Sequence, residues 1–366
     1  MGAMGKSTAS SSLLSLLSLM FVTTSLFFFI GTSQSHPPLV TREEPGVLWL
    51  ELGQRGHHAP ALGVRHGGAG EPGRGGVDPQ VIVVSWGHGR RSLSTSGALL
   101  ALLVGFCLSL AHYSFFLALL AFFVSSSRAT KYQQQVKATI EAEFKPDGQR
   151  SWLQVLCNGA MATELALLYL LDVGSADLPV DFRHHYRASW LGVGVLGALA
   201  CCNGDTWASE LGTVIAKADP FLITTFQRVP RVRPPPLPPL SQGTNGGVTP
   251  AGLAASLAGG LLVGLAYYLG IAMAATSADL ASAPPQLTIV LVGGAGGLLG
   301  SLLDSLIGAT LQFSGRDVKT GRIVEVAREG VVPISGKMVL DNHSVNLVSS
   351  ILTALLLPKV ALAMGM

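Results

Sequence analysis

The sequence predicts an all-α, polytopic membrane protein, a bundle of six or seven transmembrane helices, and three observations carry that expectation. Apolar residues make up 49% of the 366-residue chain and charged residues only 12%, against about 25% charged in soluble domains. Seven apolar stretches have about the length a bilayer demands, ~20 residues. Basic residues are also sorted by loop. Three long polar loops, Arg128 to Arg150, Lys217 to Arg233 and Arg316 to Lys337, carry fourteen of them, while the two short loops between hold only Arg183 and Arg187. If crossings alternate, the fourteen lie on one side, which the positive-inside rule makes cytoplasmic. The net charge of +3 is too small to argue for nucleic acid, so lipids are the expected partners.

Taken in order, the chain opens with Ser11–Ile30, either an uncleaved first helix or a signal peptide, since small residues Gly31, Thr32 and Ser33 follow. Residues 31–91 read as a low-complexity segment rich in Gly, Pro, His and Arg that buries too little apolar surface to order itself. His57, His58 and His66 suit a linker better than a metal cluster, and Val81–Trp86 is an apolar island, a strand or a shortened helix. The membrane domain spans 92–366. Its expected crossings are Gly97–Val124, Trp152–Leu171, Ala188–Cys202, Pro250–Ala274, Gln286–Ile307 and Val345–Ala363. The Ala188 helix is short and is expected to continue past the surface as Asp205–Lys217. A Pro-rich insertion occupies 231–242. Cys107, Cys157, Cys201 and Cys202 lie in or against apolar runs and read as small core residues, with acylation of the Cys201–Cys202 pair the lesser alternative.

Polar groups with chemical potential gather on the face of the long loops. Asn203-Gly-Asp-Thr-Trp207 follows an apolar run without a spacer, and an unpaired carboxylate entering lipid there costs roughly 2.5 kcal/mol or more. Asp304 ends another crossing, Asp341 and Asn342 precede the last one, Asn346 lies in its first turn, and Asn158 and Glu164 interrupt the Trp152 helix. Asp205, Asp304 and Asp341, coming from three helix ends, repel one another unless a cation sits among them, and hard oxygen ligands suit Mg²⁺. Gly243-Thr-Asn-Gly-Gly247, just ahead of a helix, is backbone able to turn several N–H groups toward a phosphate. Metal and anion cradle together are the equipment of phosphoryl transfer. Plainer readings stand beside these. Asp205 can cap a helix, and Gly296, Gly300, Asp304 and Gly308 recur every four residues as a packing stripe. Glu164 can hydrogen-bond a neighbouring helix, and most Gly-rich turns are only turns.

Gly148-Gln-Arg-Ser-Trp-Leu-Gln-Val155, Asn203-Gly-Asp-Thr-Trp-Ala-Ser-Glu-Leu-Gly212, Gly243-Thr-Asn-Gly-Gly-Val-Thr249, Gly300-Ser-Leu-Leu-Asp-Ser305 and Leu340-Asp-Asn342 with Val345-Asn-Leu347 together resemble the transmembrane protein 19 family. The likeness covers about Gly87 to the C-terminus. That family is related to the phytyl-phosphate kinase of plant tocopherol synthesis, so the resemblance implies a multi-pass protein of an intracellular membrane and a prenyl-phosphate kinase using CTP or ATP. Three places depart from the family pattern. Ser94 stands where an Asp precedes the Ser-Gly-Ala turn, residues 231–242 intervene before the Gly-Thr-Asn-Gly-Gly turn, and Val326–Val332 lacks a basic pair.

On these grounds Asp205, Asp304 and Glu164 are the expected catalytic residues, with Asp205, Asp304 and Asp341 on Mg²⁺. Asn203, Gly243, Thr244, Asn245, Gly246 and Gly247 are expected on the nucleotide, and Asn158, Asn342 and Asn346 on the prenyl phosphate. The rival class is a non-enzymatic transporter of an anionic lipid, or a catalytically inactive scaffold.

Overall fold

The computed structural model describes residues 79–132, 149–216, 219–229, 244–319, 321 and 323–366, which belong to one compact unit. The candidate first helix Ser11–Ile30, the histidines of the low-complexity segment, the Pro-rich insertion 231–242 and Gly243 lie outside them. Nine helices of six or more residues occur among the described residues: α1 (Pro79–Gly89), α2 (Thr95–Ala111), α3 (Tyr113–Lys131), α4 (Trp152–Asp172), α5 (Tyr186–Trp207), α6 (Pro250–Ala274), α7 (Ser277–Ser282), α8 (Thr288–Leu311) and α9 (Asn342–Ala363). Of these, α3, α4, α6, α8 and α9 are long and apolar enough to cross a bilayer, and α2 is a shorter apolar helix. The polytopic helical bundle is therefore as the composition implies.

One expected crossing, Gly97–Val124, is in fact two helices. His112 breaks it in extended conformation (φ −161°, ψ 134°). Its backbone N–H closes α2 on the Leu108 carbonyl, while its Nδ1 accepts from Ser114 N at 3.1 Å and opens α3. Nε2 reaches the Leu178 carbonyl at 3.0 Å. One buried histidine thus closes α2 with its backbone, opens α3 with its ring and ties their junction to the short loop after α4. At the other end of this hairpin, Lys131 Nζ contacts the Arg90 carbonyl at 2.5 Å, and Leu93 pairs with Arg150 as a parallel β-bridge. Arg90 and Arg91 therefore fall on the face of the long loops. A single crossing over Gly97–Val124 would instead place them on the sparse side. The apolar island Val81–Trp86 is part of α1.

The core is built around α5. From Leu191 to Gly204 every residue is buried, as expected of a helix covered on all sides. It packs against α3, α4, α6, α8 and α9. Small residues make this crowding feasible: a Cβ at Gly204 would lie 2.7 Å from the Gly297 Cα, and one at Gly197 would lie 3.2 Å from the Ala354 Cα. Gly260 and Gly264 of α6 meet Gly293 and Gly297 of α8 in the same manner, the close backbone approach that small-xxx-small spacing permits. The stripe at Gly296 and Gly300 does the packing expected of it, against Ala200, Leu357 and Cys201. The cysteines are free, and Cys157, Cys201 and Cys202 are buried, which closes the Cys201–Cys202 pair to acylation.

Short strands cap the long-loop face: β1 (Phe221–Leu222) pairs antiparallel with β2 (Gly247–Val248), with Phe221 opposite Val248. A three-stranded sheet follows in the order β4 (Ile323–Val324), β3 (Ser314–Asp317), β5 (Val331–Ser335). On the opposite face the acids serve the loops. Asp172 pairs with Arg187 at 2.9 Å, and Asp181 accepts from the Arg183 and His184 backbone N–H groups.

Sidedness follows from the α2–α3 hairpin. In sealed vesicles, single cysteines placed at Arg90, Asp219 and Arg328 are expected to react with an impermeant maleimide from one side, and those at Asp177 and Asp279 from the other. Labelling of position 90 together with position 177 would contradict the hairpin.

Candidate functional site

The polar residues of the bundle converge where α5 passes α8. Gly204 packs on Gly297, and the next residue, Asp205, is half-buried on a helix that runs without interruption to Trp207. A π turn, Ala208–Gly212, continues it. Asp205 is therefore inside a helix, and its reading as a helix cap fails. On α8, Asp304 lies one turn beyond Gly300, which packs on Cys201 of α5. The two carboxylates are close enough to act on one another electrostatically. No Lys, Arg or His among the described residues pairs with either.

Asp304 is held from α9. Ser349 Oγ donates to its Oδ2 at 3.0 Å. The Asn346 amide lies between that same Oδ2 and Asn158 Oδ1 of α4, 3.3 Å from each, and donates to one or the other according to its orientation. Four helices thus contribute to one polar cluster: α5 with Asp205, α8 with Asp304, α9 with Asn346 and Ser349, and α4 with Asn158. Ser349 is the residue that sequence reasoning missed. Its signal was the row Asn346, Ser349, Ser350 and Thr353, polar positions three and four apart on an otherwise apolar helix.

Other expected members are elsewhere or otherwise engaged. Asp341 is exposed and caps α9, accepting from Ser344 N at 2.8 Å. Among the described residues no three His, Cys, Asp or Glu side chains gather as a metal cluster, so the expected Asp triad reduces to a pair. Asn203 is fully buried. Its Nδ2 donates to the Gly259 carbonyl at 2.8 Å, and its Oδ1 accepts from Ser125 at 2.9 Å. That side chain bolts α5 to α6 and α3, leaving it no part in holding a nucleotide. Glu164 is six residues beyond Asn158, about 120° around α4 at 3.6 residues per turn, and so points away from the Asn158 face. Asn342 is exposed at the start of α9 and meets the cluster only through its carbonyl, 3.1 Å from the Asn346 amide.

The glycine turn does reach the right place. Gly246 has φ +84°, and a Cβ there would meet Ala309 and the Ser305 carbonyl of α8, so the turn docks one helical turn past Asp304. Two of its N–H groups are taken by the protein. Asn245 N donates to Ser314 Oγ at 3.1 Å, and Gly247 N donates to the Thr244 carbonyl at 2.8 Å. Thr244 is buried, and its hydroxyl has no partner among the described residues.

A second buried polar group stands at the start of α4. Arg150 donates to Ser127 Oγ at 2.7 Å and Ser126 Oγ at 3.0 Å, with its guanidinium over the Phe123 ring. Burial pulls its pKa down to about 10, so it is still cationic at neutral pH. In the sequence it is one of the fourteen basic residues of the long loops, with nothing to mark it as buried.

Residues 80–354 match the model of an integral membrane protein family, DUF92. The chain belongs to that family. It is 41% identical over 268 residues to Protein PGR of Arabidopsis thaliana, a match covering 73% of this chain and 88% of that one. An uncharacterized membrane protein of Methanocaldococcus jannaschii is 28% identical over 226 residues, 62% of this chain and 77% of its own. One from Synechocystis is 28% identical over 243 residues, 64% of this chain and 74% of its own. No solved structure matches. The DUF92 match takes in α2 to α8 and most of α9, and thereby the whole polar cluster.

The two roles assigned to Asn203 separate cleanly by experiment. Asn203→Leu removes the acceptor of Ser125 and the donor to Gly259, a change expected to lower stability by about 1–3 kcal/mol. The thermal midpoint in detergent should fall by the same amount with and without nucleotide. A midpoint matching wild type until nucleotide is added would restore the binding role.

Proposed function

We propose that this DUF92 protein is of the transmembrane protein 19 type, a multi-pass protein of an intracellular membrane that phosphorylates a prenyl phosphate at its cytoplasmic surface. The donor in this reading is CTP or ATP. One observation carries it: two half-buried carboxylates, Asp205 and Asp304, stand on the closely packed α5–α8 seam, and no basic side chain among the described residues pairs with either. Such a pair is tolerated when a cation arrives with a ligand. Its oxygen donors suit Mg²⁺, an ion that keeps several waters and bridges to substrate phosphates. When bound, Mg²⁺ would offset the charge that builds on the transferring phosphoryl group.

The reaction asks little else of the chain. A prenyl-phosphate oxygen forms a bond to the terminal phosphorus of the donor as the bond to the nucleoside diphosphate breaks. The attacking oxygen is already anionic, so no side chain need take a proton, and positioning with charge compensation supplies the rate. Glu164 has no step to perform here. Asn158 and Asn346, at 3.3 Å from each other, would orient the acceptor phosphate beside Asp304. The turn Thr244–Gly247 would approach the donor phosphates through its remaining backbone N–H groups and the Thr244 hydroxyl.

A second reading is favoured by that same turn. With Asn245 N and Gly247 N bonded within the protein, the anion cradle is weaker than a dedicated phosphate loop. A carrier of anionic lipids or an inactive scaffold would tolerate this better than a kinase.

The discriminating assay uses purified protein in lipid with Mg²⁺, CTP or ATP, and a panel of prenyl phosphates. Prenyl diphosphate and nucleoside diphosphate are expected in equal amounts. Asp205→Asn is expected to lower the rate by about 100-fold or more, the scale for losing an electrostatic stabiliser of the transition state. No product with any donor, or equal rates for the variant, would leave the carrier reading in possession.

A further inference from the structure

Between α1, α2, α3 and α4 lies a cavity with about 710 Å³ of empty space, part of it continuous with the outside. Its walls are apolar, with Val104 and Leu119 typical of them. Gly105 is buried, yet a Cβ built on it meets nothing within 4 Å, so this glycine borders open space where its neighbours are packed.

One wall differs from the rest. Arg150, two residues before α4, lines the cavity together with Gln154 and Asn158, which are four apart on the first turns of α4 and so share one helix face. Arg150 is buried, held by two serine hydroxyls, and no carboxylate among the described residues pairs with it. A buried guanidinium without a counter-charge is costly and calls for an anion. At the far end of the ladder, Asn158 is the residue that reaches Asn346 and, through it, Asp304. The cavity is therefore linked to Asp304 through Asn158 and Asn346.

We propose that this cavity is the binding site of a single-chain isoprenoid phosphate, its hydrocarbon between α2 and α3 and its phosphate on the Arg150–Gln154–Asn158 ladder. The proposal rests on the prenyl-phosphate reading above and adds where the acceptor lies and which side chains select its charge. Arg150 and Gln154 supply N–H donors and no negative charge. An uncharged prenyl alcohol would leave the guanidinium without its counter-ion, so the site discriminates by head group as well as by chain.

Photo-labelling tests this without turnover. Full-length protein in nanodiscs is irradiated with farnesyl phosphate carrying a diazirine on its terminal isoprene unit, and labelled positions are read by mass spectrometry. Label is expected on cavity residues of α2 and α3 such as Val104 and Leu119, displaced by unlabelled farnesyl phosphate at concentrations about tenfold below those needed with farnesol. Gly105→Phe, which fills the cavity, is expected to lower labelling about tenfold with the thermal midpoint unchanged. Gln154→Leu, which removes one donor without touching Arg150, should narrow the gap between phosphate and alcohol. Equal labelling of the outward-facing Leu99 and Leu103 with no effect of Gly105→Phe would overturn the proposal, as would farnesol competing as well as farnesyl phosphate. Cavity labelling without any diphosphate product would sink the kinase reading and leave this one standing. Wild-type turnover by Gly105→Phe would do the reverse.

Discussion

Everything at the polar end of this bundle depends on how closely α5 and α8 approach. Where Gly204 faces Gly297, no side chain separates the two backbones, and that contact brings Asp205 and Asp304 within electrostatic reach. Helices in lipid gain nothing from hydrophobic segregation among themselves, so close van der Waals packing and interhelical hydrogen bonds hold them together. Gly204 and Gly297 supply the first. Asn203, bonded to Ser125 and Gly259, supplies the second, two residues before the acidic residue it positions. The motif Asn203-Gly-Asp205 thus divides into a bolt, a spacer and a functional group.

That division explains why the motif was legible as a site and misleading as a list of ligands. An Asp abutting an apolar run is visible in any one-dimensional reading, because its desolvation must be answered somewhere. Which neighbour answers cannot be read from one dimension. Asn203 looked as available as Asp205, yet helix geometry turns it inward. Asp341 looked like a third metal ligand, but Asp-x-x-Ser at a helix start is a capping arrangement, and Ser344 N takes up its carboxylate. Ser349 was passed over because serine in an apolar helix usually bonds back to its own backbone. It does so here, to the Asn346 carbonyl, in addition to meeting Asp304.

The fold was legible to a similar depth. Hydropathy found the helices and glycine spacing found their seams, whereas the break at His112 carried no Gly or Pro to announce it. Its only trace was length: Gly97–Val124 exceeds the ~20 residues that one crossing needs. The consequence is large, since one additional crossing moves Arg90 and Arg91 to the other side and brings the charge distribution of the described residues into agreement. The short strands at the long-loop face were invisible for a different reason. Pairs such as Phe221–Leu222 with Gly247–Val248 are too brief to show any period and exist because the glycine turn docks on α8.

The central claim is that Asp205 and Asp304 form one electrostatic unit awaiting a cation. Thermal unfolding of the wild type, Asp205→Asn and Asp304→Asn, each in chelator and in Mg²⁺, tests it most directly. Like charges left without a counter-ion repel. Either variant should therefore unfold at a higher temperature than wild type in chelator, and only the wild type should gain stability as Mg²⁺ is raised, in proportion to the logarithm of its concentration. An equal Mg²⁺ response in all three proteins, or variants less stable than wild type in chelator, would show that the two carboxylates do not act together.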